Sequence, residues 1–370
     1  MDKPYRVIIW GPGEVGGHVL AEASKREDIE IVGVRVFSEA KEGLTVGELV
    51  GDGVYGVAAT RSIEDIVSLE ADCVILTPAA SSIWGSLDDD VIALLESGKN
   101  VISTVAYHNV ARENWTSGSR ATAERLEQAC TTGNASLLGT GIHPSFMAER
   151  LAVTMSQALL RVDHLRVVEA LDFSSAPEGM WGGLDVIGFG TDPTGPSDDL
   201  LVSRIGDLYY SDLAANMGQQ LFGADPAEIK IESHLERIPA VADVEAGGVL
   251  IRAGQTAVLH LVHRAFVGDH HYFTNEECWY VGTDNAFRAN EPFGGWNQGM
   301  LCYTIEIEGR PTTLRSQIEL EITEMFNPVT GASVRVILDA LPAVCAAEPG
   351  ILIDDVRTHV RLDPRVHHVG

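Results

Sequence analysis

The stretch Gly11-Pro12-Gly13-Glu14-Val15-Gly16 decides how the chain reads. The apolar run Val7-Ile8-Ile9-Trp10 leads into it, and beyond it Val15, Val19, Leu20 and Ala23 recur at helical spacing. Strand, glycine turn and helix in this order predict a cradle for a pyrophosphate. Gly11 permits the tight turn. Gly13 lets the backbone approach the anion because no Cβ stands there, and Gly16 lets helix and strand pack closely. The free N–H groups and dipole of the helix start favour negative charge. A bound dinucleotide is the expectation, with Gly11, Gly13, Glu14, Val15 and Gly16 around it.

Working outward, a second strand runs over 29–36. A unit selective for NAD places an acid about 20 residues past the glycines, on the ribose hydroxyl. Val36 stands about there, among Arg35, Ser38 and Lys41, and Glu39 is the one close acid. Basic and hydroxyl groups suit a 2′-phosphate, so NADP is the expected cofactor, and Glu39 leaves NAD open. Further buried strands are read at 72–77, 101–105 and 136–141. Ends of parallel strands meet ligands in doubly wound folds, which adds Thr77, Pro78 and Thr104 to the expected cofactor contacts. The same strand ends deliver Tyr107, His108 and His143. Alternating strands and helices predict an α/β, Rossmann-type domain with a doubly wound parallel sheet over 1–145.

After Phe146 the pattern changes. Helices are expected at 147–161 and 200–222, and long alternating strands at 164–173, 229–237, 249–266, 272–281, 300–308, 313–321 and 333–338. This predicts an α+β domain over 146–338 with a largely antiparallel sheet. A short helix at 339–347 would carry the segment 339–370 back to the first domain. Two long loops carry aromatic residues: Trp181 and Phe189 in 174–199, and Phe287, Phe293 and Trp296 in 282–299. These either wall a substrate pocket or anchor the loops.

The 370 residues leave room for two domains. Hydrophobic residues make up 45% and charged residues 21%, an ordinary globular balance. A net charge of −27 argues against nucleic acid and anionic membrane surfaces as partners. No apolar run approaches the roughly 20 residues of a membrane span. Asp2 and Lys3 open the chain without a signal-peptide pattern. The five scattered cysteines read as reduced, mostly buried thiols, so a cytoplasmic location is expected, with no disulfide framework and no zinc site.

Four stretches together resemble the dihydrodipicolinate reductase-like oxidoreductases, in the branch of 2,4-diaminopentanoate dehydrogenase and the native amine dehydrogenases. They are Val7–Gly16, Asn100-Val-Ile-Ser-Thr104, Gly139-Thr-Gly-Ile-His-Pro144 and 341–350. The resemblance implies a Rossmann domain, a substrate domain whose sheet also makes a homodimer, and hydride transfer to or from a C=N or C=O carbon of a small molecule. Two departures stand out. Amine dehydrogenases of this branch carry a glutamate just after the Ser-Thr strand end, where this chain has Val105-Ala106-Tyr107-His108. His143 stands where the diaminopentanoate branch has asparagine.

Such a reaction needs a proton for the substrate heteroatom as well as a hydride. An imidazole titrates near neutrality, which makes His143 the first candidate donor, followed by Tyr107 and His108. Glu169 and Asp172 either bind a substrate amine or form a solvated strand face. Trp181, Phe293 and Trp296 are the candidate pocket aromatics. His263, His270, His271, Glu276 and Glu277 do not make a metal site, because neighbours on an alternating strand point to opposite faces. Missing the branch's glutamate, the chain is alternatively a non-catalytic, dinucleotide-binding sensor or scaffold.

Overall fold

Fifteen strands are found among the residues that the computed structural model describes, which are 3–51, 55–79, 86–109, 120–282, 301–321 and 328–353. In chain order they begin with β1 (Tyr5–Trp10), β2 (Ile29–Arg35), β3 (Ala59–Thr60), β4 (Cys73–Leu76), β5 (Asn100–Ser103) and β6 (Ser136–Gly139). Next come β7 (Arg161–Asp172), β8 (Ile229–Pro239), β9 (Val244–Ala246), β10 (Val249–Ile251) and β11 (Thr256–Val267). The last are β12 (His270–Tyr280), β13 (Leu301–Arg310), β14 (Leu314–Leu320) and β15 (Gly350–Leu352). The described residues fall into two compact units, 3–146 with 329–353, and 147–328.

The first unit is a doubly wound α/β sheet in the order β15-β6-β5-β4-β1-β2-β3, with every pairing parallel. The order reverses between β1 and β4, and this switch point is where such sheets receive ligands. The inner strand β4, Cys73-Val-Ile-Leu76, is buried throughout, as expected of a parallel sheet. Val7, Ile9, Ile75, Ile102 and Leu138 share one core with Val19 and Leu20 of the Glu14–Ala23 helix.

Residues 333–338, expected as a strand, lie instead in a helix, Pro328–Cys345, that continues into the expected short helix at 339–347 and ends two residues before its expected end. The β-branched Val334, Val336 and Ile337 suggest a strand locally. However, Val334, Ile337, Leu338, Leu341 and Val344 recur at helical spacing and pack into the core of the first sheet. Fully burying a side chain such as Ile337 or Leu341 stabilises by roughly 1.5–3 kcal/mol, more than the propensity difference opposes.

The second unit is built on a six-stranded sheet in the order β14-β13-β7-β12-β11-β8. Only β7 and β12 pair in parallel; the other pairings are antiparallel. The Leu201–Phe222 helix lies on one face, where the Tyr272 hydroxyl donates to the Ala214 carbonyl at 2.8 Å. The strand expected over 249–266 is two elements, because β9 and β10 close a hairpin before β11 begins. The helix expected over 147–161 ends at Ser156, and β7 starts at Arg161.

Candidate functional site

The glycine turn joins β1 to the Glu14–Ala23 helix. Gly11 has φ +82°, and a Cβ there would stand 3.0 Å from the Thr77 carbonyl oxygen and Pro78 Cα. A Cβ on Gly16 would fall 2.1 Å from Thr77 Oγ1, so glycine is required for the helix to lie this close. Gly13 differs: a Cβ there would meet only the Gly11 carbonyl oxygen, at 3.9 Å. Gly13 and Glu14 are exposed, and no side chain caps the helix start. Open space beside uncapped N–H groups is what an anionic phosphate requires. A pyrophosphate therefore fits the residues present.

Thr77 and Pro78 are buried beneath this turn. Thr77 Oγ1 lies 3.0 Å from the carbonyl oxygens of Trp10 and Gly11, and its N–H donates to Trp10 at 2.8 Å. The threonine thus ties β4 to β1 at the switch point. The Lys41 ammonium donates to the Pro12 carbonyl at 2.8 Å, which sets a positive charge on the rim of the turn. Glu14, the acid in the turn, accepts from Thr330 Oγ1 at 3.3 Å.

Arg35 ends β2 with its guanidinium carbon 5.4 Å from the centre of the Trp10 ring and 5.1 Å from that of Phe37. Burial pulls its basicity down from the ordinary arginine range. Arg35 Nε and Trp10 Nε1 are buried donors without a partner. Phe37 is 51% exposed, and Ser38 follows it on the surface. Lys41 thus lies on the glycine turn and Arg35 on the tryptophan that leads into it, while the Ser38 carbonyl accepts from the Lys41 N–H at 3.1 Å.

The ends of β5 and β6 pack directly on each other. Thr104 donates its N–H to the Leu76 carbonyl at 3.0 Å. Ala106 and Tyr107 both have positive φ, 56° and 61°. Such non-glycine conformations cost on the order of 1–3 kcal/mol each and persist only where the surroundings enforce them. Gly139 is the enforcing contact. Its N–H donates to the Tyr107 carbonyl at 3.1 Å, and a Cβ there would fall 2.5 Å from the His108 nitrogen.

Three candidate proton donors end up in different settings. The Tyr107 hydroxyl donates to Asp88 Oδ1 at 2.6 Å, and Tyr107 is 2% exposed. Burial, reinforced by Asp88, pushes that phenol well above its ordinary range. His108 is equally buried. His143 is half-buried, on the segment that leaves β6, next to Ser145, whose φ is 122°. There the Thr140 and Ser145 hydroxyls lie 3.1 Å apart, and the Ile142 N–H donates to Ser333 Oγ at 3.4 Å.

In the second unit, Glu169 of β7 faces Glu277 of β12 on one side and Tyr303 of β13 on the other, in direct register. The Trp279 indole donates to Glu169 Oε1 at 3.0 Å and the Tyr303 hydroxyl to Oε2 at 2.5 Å. Asn275 Nδ2 donates to Glu277 Oε1 at 2.8 Å, and Glu277 also hydrogen-bonds Glu169 and Tyr210. Burial pushes the Glu277 carboxyl up to about 8, which favours its protonated form near neutrality. The Trp181 ring lies 5.6 Å from that of Trp279, tilted by 55°, which brings it to this cluster. Asp172 stands apart and accepts from the Ser174 N–H at 2.8 Å, holding the turn after β7. Phe293 and Trp296, with Phe287, lie outside the described residues.

Glu277 is the member of this cluster that sequence reasoning missed as a partner of Glu169. Strand alternation places Asn275, Glu277 and Trp279 on one face, and this was the available signal. Which face the helix covers is a tertiary fact. Among the described residues no group of side chains could hold a metal ion, and no helix is long and apolar enough to cross a membrane.

No family model matches the chain. An amine dehydrogenase of Streptomyces virginiae is 25% identical over 169 residues, 45% of this chain and 46% of that relative. The match thus spans about half the length of the relative. Among solved structures, the amine dehydrogenase from Mycobacterium smegmatis has a TM-score of 0.70 at 18% identity, covering 98% of each chain. A probable dehydrogenase from Thermotoga maritima has a TM-score of 0.54 at 14% identity, covering 94% of this chain and 91% of that one. At these identities the structural likeness establishes the fold. The chain resembles an amine dehydrogenase in part of its sequence and, over its length, shares the two-domain fold of dehydrogenases.

Proposed function

We propose that the chain is an NAD(P)-dependent oxidoreductase that moves hydride to or from a C=N or C=O carbon of a small molecule. One observation carries this reading: an uncapped helix start and open space over Gly13, at the switch point of a doubly wound sheet. Backbone N–H groups of residues 14–16 would hold the phosphates, with Lys41 supplying charge from the rim. Arg35, Ser38 and Lys41 would read a ribose 2′-phosphate, which makes NADP the preferred cofactor, with NAD as the alternative. The nicotinamide, when bound, supplies the hydride chemistry.

His143 would pass a proton to the oxygen or nitrogen of the substrate. It is the donor candidate with access to solvent, whereas the Tyr107 hydroxyl is committed to Asp88. The second unit would take the substrate and pair with a second copy to form a homodimer. Of its candidate substrate contacts, Trp181 is exposed and available, whereas Glu169 is buried in the hydrogen-bonded acid cluster and Asp172 holds the turn after β7. The resemblance to amine dehydrogenases supports both roles. The scattered free cysteines support a cytoplasmic location.

The test is oxidation of NADPH and of NADH with a panel of ketones and aldehydes, with and without ammonia. Turnover that requires ammonia would assign reductive amination, and turnover without it a carbonyl reductase. Tight cofactor binding with no turnover on any member would favour a dinucleotide-binding sensor or scaffold.

A further inference from the structure

We propose that Cys73 and Cys345 form an oxidative modification site, a dithiol that a hydroperoxide closes to a reversible disulfide. Cys73 opens β4 and is fully buried, and Cys345 ends the Pro328–Cys345 helix half-buried. Cys345 Sγ lies 3.9 Å from the carbonyl oxygen of Asp72, the residue before Cys73. Cys345 also packs against the core cluster that contains Cys73. Both are pinned at the end of the sheet where β4, β5 and β6 begin. Ser136 Oγ donates to the Val344 carbonyl at 2.8 Å, and Asn100 Nδ2 donates to the Asp72 carbonyl at 2.8 Å.

Topology gives the pair its consequence. Asp72 and Cys345 are 273 positions apart, and the intervening chain builds the whole described second unit. The first unit is assembled from two separate pieces of chain, 3–146 and 329–353. A Cys73–Cys345 disulfide would join those pieces covalently. The same helix has Thr330 in its first turn, bonded to Glu14 of the glycine turn, so the clasp would secure an element that reaches the proposed cofactor site.

The two thiols have complementary chemistry. The neighbouring Cys73 thiol holds the Cys345 thiol below the ordinary cysteine range, against the penalty of its burial. Burial pushes Cys73 well above that range, Cys130 up to about 11, and Cys278 and Cys302 upward. Cys345 is thus the thiol suited to react first and Cys73 the one suited to resolve it. The Cys345 thiolate attacks a peroxide oxygen, the O–O bond breaks, and the sulfenic acid forms as water or alcohol leaves. Cys73 sulfur then attacks the Cys345 sulfur; the S–S bond forms, the S–O bond breaks, and a second water leaves with the Cys73 proton. Two thiols lose two electrons, and the peroxide gains them.

The experiment treats the reduced, full-length protein with a small excess of hydrogen peroxide, then alkylates it under denaturing conditions and maps it by mass spectrometry. The expected result is loss of two of the five alkylatable thiols, with the Cys73 and Cys345 peptides cross-linked and dithiothreitol restoring both. The unfolding midpoint of the oxidised protein should rise by about 5 °C and fall back on reduction. Cys345→Ser, at a half-buried position, should keep Cys73 reduced and abolish the shift. Sulfinic acid at Cys345 with Cys73 still alkylatable would overturn the proposal, as would five intact thiols or a cross-link between other cysteines.

Discussion

The glycine turn of the first unit and the acid cluster of the second are both concentrations of polar groups, yet they are finished in opposite ways. At the turn, Gly13 and Glu14 are exposed, the helix start has no side-chain cap, and a Cβ on Gly13 would meet little. At the cluster, Glu169 is 4% exposed and Glu277 fully buried, and Trp279, Tyr303, Asn275 and Tyr210 surround them with hydrogen bonds. Open donors beside empty space offer binding energy to a ligand, whereas donors and acceptors matched in the core serve the fold. Substitutions at the turn should therefore change binding and spare stability. Substitutions in the cluster should change stability and its pH dependence.

The largest expected effect is at Gly13. Gly13→Asp places a carboxylate where the pyrophosphate must approach, at a position where a Cβ would meet only the Gly11 carbonyl oxygen, at 3.9 Å. Dinucleotide binding should be abolished while the thermal unfolding midpoint stays within about 2 °C of the parent. A large drop in the midpoint would show that the turn is part of the core after all.

His143 comes next. His143→Ala should lower kcat by roughly 10²–10⁴-fold with cofactor affinity little changed. His143→Asn, which keeps a polar side chain without an imidazole, should lose a similar amount. If the asparagine variant retains most activity, His143 shapes its loop, and Tyr107 or His108 inherits the donor role.

Glu277 gives the sharpest contrast on the cluster side. The folded chain holds a proton on Glu277 up to about pH 8, and the unfolded chain only up to its ordinary 4.5. Stability from this group is full below 4.5 and drains as pH rises through 8, by at most about 1.4 kcal/mol per pH unit. Glu277→Gln should flatten that decline in urea unfolding measured at about pH 5 and pH 8. Its neighbour Glu276 has the opposite sign. Burial opposes its charge, but His260 and Arg166 hold it down to about 2, with Arg166 bonding both carboxylate oxygens at 2.7 and 3.0 Å. Its contribution is present above 4.5 and lost as pH falls through 2. Equal pH profiles for Glu276→Gln and Glu277→Gln would remove the distinction between the two faces of β12.

A smaller, selective effect is expected at Arg35 and Lys41. Arg35→Ala or Lys41→Ala should weaken NADPH binding by roughly 1.5–3 kcal/mol and leave NADH nearly unchanged. Equal weakening of both cofactors would mean that these residues do not read the 2′-phosphate.

The glycine turn was legible in the sequence because every part of it is local: six residues, the strand before and the helix after. Alternation of strands and helices gave the parallel sheet for the same reason. Long-range contacts were not legible. The β-branched run at 333–338 suggests a strand until the first sheet is there to bury Ile337 and Leu341 on one helical face. Glu277 and Glu276 look alike side by side, and only the helix covering one face of β12 separates them. Tyr107 reads as a donor until Asp88, 19 positions earlier, claims its hydroxyl. Cys73 and Cys345 meet only after the chain has built the second unit and returned.

The most direct measurement of the central claim is a fluorescence titration of the purified wild-type chain with NADPH and with NADH. Saturable binding at one site per chain, tighter for NADPH, is the predicted result, and an excess of free pyrophosphate should weaken it. Absence of binding to either cofactor by folded protein would contradict the assignment of the glycine turn, and with it the proposed oxidoreductase.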